Sequence, residues 1–373
     1  MQDFVHLHVH TYYSILDGQS KISKLVDKAI ANGMRGMAIT DHGNMFGIKE
    51  FFDYCGGVNK KRKKDGLEPF KPIFGCEMYV ARRRKEDKDK DKGDRSGYHL
   101  IVLAKNENGY KNLIKLVSNS WVDGYYMRPR TDRADLERYH EDLIVCSACI
   151  AGEVPAKILG SKAERNVCTE EALKQRMDEA REAVQWYKRV FGDDYYLELQ
   201  RHEVKDPTIR ANREAFPLQQ RANAGLIELA KEFGIKLICS NDVHFVDQEN
   251  AEAHDHLLCL STGKDLNDPD RMIYTKQEWF KTKEEMNEVF ADIPEALANT
   301  TEILDKVEMY SIDHDPIMPF FPIPEEFGTE ELWRKKFSEE DLFREFTTDE
   351  NGENPLSQEE GEKKIAKLGG FDK

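Results

Sequence analysis

MQDFVHLHVHTYYSILDG, residues 1–18, opens the chain and decides how its fold is read. His6, His8 and His10 alternate with Val5, Leu7 and Val9. Alternation at a period of two predicts a strand from Phe4 to Val9, with imidazoles on one face and aliphatic side chains on the other. A buried strand tolerates a polar face only where its nitrogens find partners. Ile22, Leu25, Val26, Ala29 and Ile30 follow at helical spacing, with Ser20 as N-cap and Gly33 as the stop. Gly36 to Ile39 then reads as a short strand that ends in Thr40-Asp41-His42-Gly43-Asn44.

The same alternation of strand and helix continues. Strand-like runs cover Pro72 to Val80, His99 to Ala104, Leu143 to Ser147, Tyr195 to Gln200 and Lys236 to Ser240. Helical patterns lie over 107–120, 169–190 and 211–233, where Pro217 kinks the last or marks its true first turn. Repeated strand–helix units predict an α/β protein with a parallel sheet, open or closed into a barrel. Residues 82–96, RRRKEDKDKDKGDRS, read as a charged, mobile loop. The expected division is a barrel domain over 1–280 and a second region over 281–373. That second region is helical at first, then proline-rich in DPIMPFFPIPEEFG, then acidic and poor in core residues. It reads as the start of a domain that this chain does not complete.

Composition bounds the partners. The 373 residues carry a net charge of −15, which argues against broad, nonspecific nucleic-acid binding. Basic islands at 60–64 and 82–85 interrupt that acidity, and read more readily as solvated loops than as DNA contacts. Seven scattered cysteines, an odd number, argue against a disulfide framework and for a reducing compartment. No apolar run reaches 18 residues and no secretion signal precedes the first strand, so a cytoplasmic protein without a membrane span is expected.

Metal-capable side chains gather at strand ends, the usual place for a site in a parallel barrel. His8 and His10 end the first strand, and Asp17 lies in the turn after it. His42 follows the second strand, Glu77 stands in GCEMYV, and His99 opens HLIVLA. Cys149 follows LIVCSA, and Asp242 and His244 follow KLICS. Residues two apart on a strand share a face, so His8/His10 and Asp242/His244 project as pairs. Cys146 and Cys149 form a CxxC, but positions three apart face opposite ways, so only Cys149 should face the site. The set is too large for one tetrahedral ion. It suits two or three closely spaced ions of zinc, manganese or iron with bridging carboxylates. Such a cluster generates hydroxide near neutral pH and clamps phosphoryl oxygens, which makes phosphoester hydrolysis the first reaction class. A lone buried histidine is more often an ordinary core residue. His6, deeper in the strand, is therefore read as a supporting hydrogen-bonding group, as is Asp41 beside His42.

HLHVHTYYSILDG and AITDHGNMFG resemble the first two motifs of the polymerase and histidinol phosphatase (PHP) domain family. GYYMRPRTDRADL is similar to the version of that domain found at the N-terminus of bacterial replicative DNA polymerases, and VCSACIAGEVP and SNDVHFV complete the motif set. NTTEILDKVEM followed by MPFFPIP resembles the approach to a polymerase palm, and the resemblance covers roughly 1–325.

The resemblance implies a distorted (β/α)7 TIM-like barrel, the PHP fold, around up to three divalent ions. Zinc or manganese comes first, with iron or magnesium as alternatives. The implied ligands are the same residues: His8, His10, Asp17, His42, Glu77, His99, Cys149, Asp242 and His244. An intact set implies metal-dependent 3′–5′ exonuclease activity on DNA, a proofreading function, with water activated on the metals as nucleophile. The implied partners are a primer 3′ end, the rest of a polymerase chain and other replisome subunits. No glycine-rich nucleotide motif of the GRGS type and no palm aspartates occur, so polymerisation is not expected of these residues. Arg128, Arg130 and His202 are candidate substrate contacts. The competing readings are a small-molecule phosphatase of the histidinol phosphatase type and a metal-stabilised module without catalysis.

Overall fold

The computed structural model describes residues 1–204, 210–320, 322, 324–349 and 351–370. They divide into two units, 1–313 and 314–373.

The first unit is built on a mixed sheet. Its strands are β1 (Gly36–Ile39), β2 (Lys71–Ala81), β3 (Gly97–Ala104), β4 (Arg130–Thr131), β5 (Leu143–Cys146), β6 (Tyr195–Gln200) and β7 (Leu237–Ser240). Their order is β1-β2-β3-β5-β6-β7, with the two-residue β4 paired to β2. β1–β2, β5–β6 and β6–β7 are parallel, but β3 runs antiparallel to both β2 and β5. The wholly parallel sheet expected from the sequence therefore fails at β3. The cause is local: a loop without a crossover helix joins β2 to β3, and such a connection returns the chain antiparallel.

The predicted strand over Phe4 to Val9 is the second departure. The segment fills a strand's place without a regular ladder. On one side, Ala38 N–H donates to His6 O and Thr40 N–H to Val9 O; on the other, Val243 N–H donates to His8 O and His10 N–H to Val243 O. It thus bridges β1 and the chain beyond β7, closing the sheet into a distorted barrel. Hydroxyl groups take the place of ladder acceptors: Val5 N–H donates to Thr300 Oγ1 and Val9 N–H to Thr40 Oγ1. Leu7 and Val9 are buried in the hydrophobic core, as the alternation requires.

Helices cover the sheet. Ile22, Leu25, Val26 and Ala29 are the buried face of α1 (Ile22–Ala31). Its N-cap is Lys21 with no side-chain cap, not Ser20, whose Oγ is buried without a hydrogen bond among the described residues. α2 is Ile48–Lys64; α3 (Glu107–Val122) is capped by Asn106, which accepts from Gly109 N–H. α4 (Arg133–Arg138) and α5 (Glu153–Leu159) are short, and α6 (Glu170–Phe191) is long. The helix expected over 211–233 is two, α7 (Arg210–Glu214) and α8 (Phe216–Phe233), and Pro217 stands in the first turn of α8. α9 (Ala251–Thr262), α10 (Lys283–Val289) and α11 (Pro294–Lys306) complete the unit.

The expected boundary at residue 280 moves. Met286, Leu297, Ile303 and Leu304 of α10 and α11 are buried in the barrel's core cluster, so the unit runs to Asp313. The amphipathic pattern of these helices was visible, but not what their apolar faces cover. The second unit carries α12 (Glu330–Lys336), α13 (Glu339–Thr347) and α14 (Gln358–Lys367), the last two opened by capping boxes at Ser338 and Ser357.

The loop 82–96 is not the loose segment its charge suggests. Arg130 is wholly buried, and its Nε, Nη1 and Nη2 donate to the carbonyls of Gly124, Asp94 and Lys85 at 3.0, 2.8 and 2.7 Å. Arg83 pairs with Asp94, and Lys85 Nζ lies 2.5 Å from Asp135 Oδ2. The loop is wrapped around one guanidinium.

Candidate metal centre

The N-terminal segment delivers His8 and His10 side by side, with their Nε2 atoms 3.2 Å apart. Asp242 Oδ1 lies 3.0 Å from the first and 3.3 Å from the second. Asp242 has a positive φ of 47°, a conformation aspartate tolerates better than most residues. The residue before it is anchored, because Asn241 Nδ2 donates to the carbonyls of Gln277 and Trp279.

Glu77, buried in β2, spans the middle. Its Oε1 is 3.4 Å from His8 Nε2 and 2.8 Å from His99 Nδ1; its Oε2 is 3.6 Å from His10 Nε2 and 2.5 Å from His42 Nδ1. Asp17 Oδ2 reaches His42 Nε2 at 2.9 Å and His244 Nε2 at 3.7 Å. Cys149 Sγ stands 3.7 Å from His99 Nδ1. The loop bearing Asp17 folds back closely enough that a Cβ on Gly18 would lie 2.1 Å from Thr11 O.

Three overlapping triads result: His8/His10/Asp242, His10/His42/His244 and His42/Glu77/His99, each with ligand atoms within 4.8 Å of one another. Asp17 and Cys149 lie beside these triads rather than inside one. His8, His10 and Glu77 are sealed, whereas the side chains of His42, His99 and Asp17 are 16%, 21% and 22% exposed, so the centre opens along that edge.

Hydrogen bonds behind the imidazoles fix their tautomers. His8 Nδ1 lies 2.7 Å from Glu198 Oε1, so a proton is held there and Nε2 is the nitrogen left to bind an ion once its own proton is displaced. Ser14 Oγ donates to Asp41 Oδ1 at 2.7 Å and therefore accepts from His10 Nδ1 at 2.9 Å. His10 Nε2 and two carboxylates then converge on His8 Nε2, an arrangement rich in acceptors that only positive charge, a proton on His8 or a bound cation in its place, can hold together. His42 Nδ1, Glu77 Oε2 and Asp242 Oδ1 are buried without a well-aligned hydrogen bond among the described residues and face one another and the neighbouring imidazoles instead. The residues fit a cluster of divalent ions.

The electrostatics of the metal-free chain follow from the same crowding. Burial, with the charges of His42 and His244, lowers His10 to about 3 and keeps it neutral. Burial would also lower His8, but Asp242 and Glu198 outweigh it and raise it well above the usual value. His42 is raised likewise by Glu77 and Asp17 against its burial, and His244 to about 9 by Asp17. Burial opposes ionisation of Glu77, yet His99 and His42 hold it far below the carboxylate range. Burial and the carboxylates of Asp242 and Glu77 push the Cys149 thiol up, so a metal there must displace its proton.

The supporting residues are partly different from those expected. Asp41 does support the centre, through Ser14. His6 does not: it packs between Phe4 and Phe280 and bonds the carbonyl of Lys281 through Nε2. Arg130 is committed to backbone carbonyls and is out of reach of a substrate. His202 is buried as well, with Nε2 on Asn241 O at 3.1 Å and Nδ1 on Gln219 Nε2 at 3.1 Å, so it braces the Asp242 loop. Arg128 is exposed, its guanidinium 5.7 Å from the Tyr79 ring, which lies 5.2 Å from His99. Sequence reading missed Glu198, although a carboxylate inside the apolar run YYLELQ was a visible signal. It also missed Ser14 and Tyr274, whose hydroxyl is 3.3 Å from Asp17 Oδ1.

A barrel whose strand ends converge histidines and carboxylates in this way offers ligand sets for divalent ions. The PHP domain family model matches residues 6–202, and the chain belongs to that family. Among curated proteins, it is 43% identical over 328 residues to DNA polymerase III subunit alpha of Borreliella burgdorferi, covering 87% of this chain and 26% of that protein. It is 40% identical over 329 residues to the same subunit of Campylobacter jejuni, covering 88% of this chain and 25% of that one. The chain thus spans about a quarter of the length of these relatives. Among solved structures, histidinol phosphate phosphatase of Lactococcus lactis aligns over 75% of this chain and all of that one, with a TM-score of 0.36 and 14% identity, a likeness too distant to bear on this chain. Among the described residues no helix is long and apolar enough to cross a membrane.

Proposed function

We propose that this chain is the PHP part of a bacterial replicative DNA polymerase alpha subunit, and that its metal centre hydrolyses phosphodiesters from the 3′ end of DNA. The observation that carries the reading is the convergence of His8 Nε2, His10 Nε2, Asp242 and Glu77 on one buried cluster. Zinc or manganese ions bound there would supply a water nucleophile at neutral pH and neutralise charge on the phosphoryl oxygens.

The chain's own residues do the rest. Glu198 and Ser14 hold the Nδ1 protons of His8 and His10, which leaves the two Nε2 atoms to face the centre. Glu77 ties the inner triad to the open edge at His42 and His99. Arg128, at that edge, is placed to grip a phosphate of the departing strand. Residues 314–373 are read as leading toward a polymerase palm. The rest of a polymerase chain and DNA are the implied partners, in the bacterial cytoplasm.

The test is a labelled primer–template with a mismatched 3′ end, supplied with manganese or zinc, beside a His8→Ala/His10→Ala variant. Shortening from the 3′ end by the parent alone supports the reading. Hydrolysis of a generic phosphomonoester with no primer shortening would move it to a small-molecule phosphatase. Metal binding with neither activity would leave a structural cluster.

A further inference from the structure

Three aromatic side chains stand in the open beside the metal centre. Phe46, Trp121 and Tyr125 are 58%, 43% and 48% exposed. Trp121 stacks on Tyr125 with ring centroids 5.6 Å apart and planes 19° apart, and Phe46 lies 6.4 Å from Trp121. They come from separate segments: Phe46 precedes α2, Trp121 lies in the last turn of α3, and Tyr125 follows it. Folding has brought them together without burying them.

The row is tied directly to the ligands. Trp121 Nε1 donates to Gly43 O at 2.7 Å, and Gly43 N–H donates to Glu77 O at 2.8 Å. Gly43 follows His42 and has φ of 62°; a Cβ there would meet Pro129 Cγ at 2.7 Å. Pro129 in turn is joined to Arg128. The aromatic row and the exposed guanidinium therefore hang on the chain that carries His42 and Glu77, along the edge where the centre opens. Among the described residues Arg128 has no carboxylate partner.

We infer that Phe46, Trp121 and Tyr125 form a stacking platform for the unpaired bases of a single-stranded nucleic-acid 3′ end, with Arg128 on its phosphates. Base stacking on aromatic faces is tolerant of sequence and works together with local positive charge on the backbone, which Arg128 supplies here. On a chain of net charge −15 such binding is confined to this local face. The platform rests on the hydrolytic reading only for the identity of the reacting bond; binding itself is separable.

The experiment measures binding of a fluorescein-labelled oligothymidylate to the full chain by anisotropy, in EDTA so that no hydrolysis occurs. Trp121→Ala and Tyr125→Ala are each expected to weaken binding about tenfold, the worth of one stacked base. Trp121→Phe should bind close to the parent, because it keeps a ring while losing the bond to Gly43. Calorimetric manganese binding should be unchanged in Phe46→Ala and Tyr125→Ala, which reports an intact centre. A parent that fails to bind the oligonucleotide overturns the inference. So does a Phe46/Trp121/Tyr125 triple alanine variant that binds it fully, which leaves the face to a protein partner. Trp121→Phe as weak as Trp121→Ala would overturn it too, assigning the effect to the Gly43 bond. Platform-dependent binding without primer shortening by the parent would sink the exonuclease reading and leave the platform standing.

Discussion

Glu198 Oε1 lies 2.7 Å from His8 Nδ1, and this one contact decides which nitrogen of His8 faces the metal centre. The same oxygen accepts from Ser240 Oγ and Gln200 Nε2, so the carboxylate cannot swing away. Carboxylates behind ligating histidines fix ring orientation and raise basicity, and their loss costs about 10–100-fold in metal affinity. Glu198→Gln should therefore bind zinc or manganese about tenfold more weakly than the parent, and Glu198→Ala more weakly still. Competition against a chromophoric chelator measures both. Parental affinity in Glu198→Ala would show that the ring is held by packing alone.

How much of this was legible follows from what each signal depends on. His8/His10 and Asp242/His244 sit two apart at the ends of apolar runs, which marked them as candidates, but Asp242 lies beyond β7 with a positive φ, so the turn there and not period-two geometry aims it. The reversal of β3 depends on how a non-helical loop returns, which no periodicity encodes. Arg130 shows the opposite failure. Beside Arg128 in YYMRPR it looked like one of two equivalent phosphate grips, yet the carbonyls of nearby Gly124 and of Asp94 and Lys85, distant in sequence, capture it. The irregular N-terminal segment escaped because side-chain hydroxyls of Thr40 and Thr300 replace ladder partners.

Arg130 yields a stability prediction. Removing a buried guanidinium leaves three carbonyls without their donor, and a buried acceptor left unpaired costs about 1–3 kcal/mol. A lysine supplies one point donor in place of the planar fork. Arg130→Lys should lower stability by about 2–4 kcal/mol and Arg130→Met by more. Proteolysis within 82–96 should accelerate in both. Urea unfolding and limited trypsin digestion read the two effects. An Arg130→Met chain as stable as the parent would contradict the account of the loop as wrapped around this residue.

Lys281 gives a pH dependence away from the metal ligands. It is 3% exposed, its Nζ 3.3 Å from the centre of the Trp279 ring and 2.5 Å from Gln277 O. Burial lowers its pKa from 10.5 to about 7, in spite of Glu278 and Glu285. Between those values the unfolded chain holds a proton that the folded chain has released, so the contribution of Lys281 to stability rises with pH across that window, against the falling contribution of the raised histidines. Below about pH 7 the full cost of burying the charge is present; above 10.5 it is gone. Lys281→Met should accordingly stabilise the chain by a few kcal/mol at neutral and lower pH. The gain should shrink progressively toward pH 10. Denaturant midpoints at several pH values test it, and a gain independent of pH would mean that packing, not charge, is responsible.

Metal binding itself should release protons. In the metal-free chain, burial opposes charge on His8, His42 and His244, but Asp242, Glu198, Glu77 and Asp17 overcome it and raise all three, His244 to about 9. A histidine that binds metal through a nitrogen must give up the proton there. Affinity for manganese or zinc should thus increase with pH from 7 toward 9, and calorimetry at pH 7 in buffers of different ionisation enthalpy should show net proton release. The stability of the metal-free chain has the opposite slope. A histidine raised from 6.5 to about 9 contributes stability that is complete below 6.5 and lost as pH rises through 9. The midpoint of thermal unfolding should fall across that range in EDTA, and flatten when saturating metal takes the protons' place between the carboxylates. Binding without proton release at pH 7 would mean that the ion sits outside the triads that His8, His42 and His244 complete.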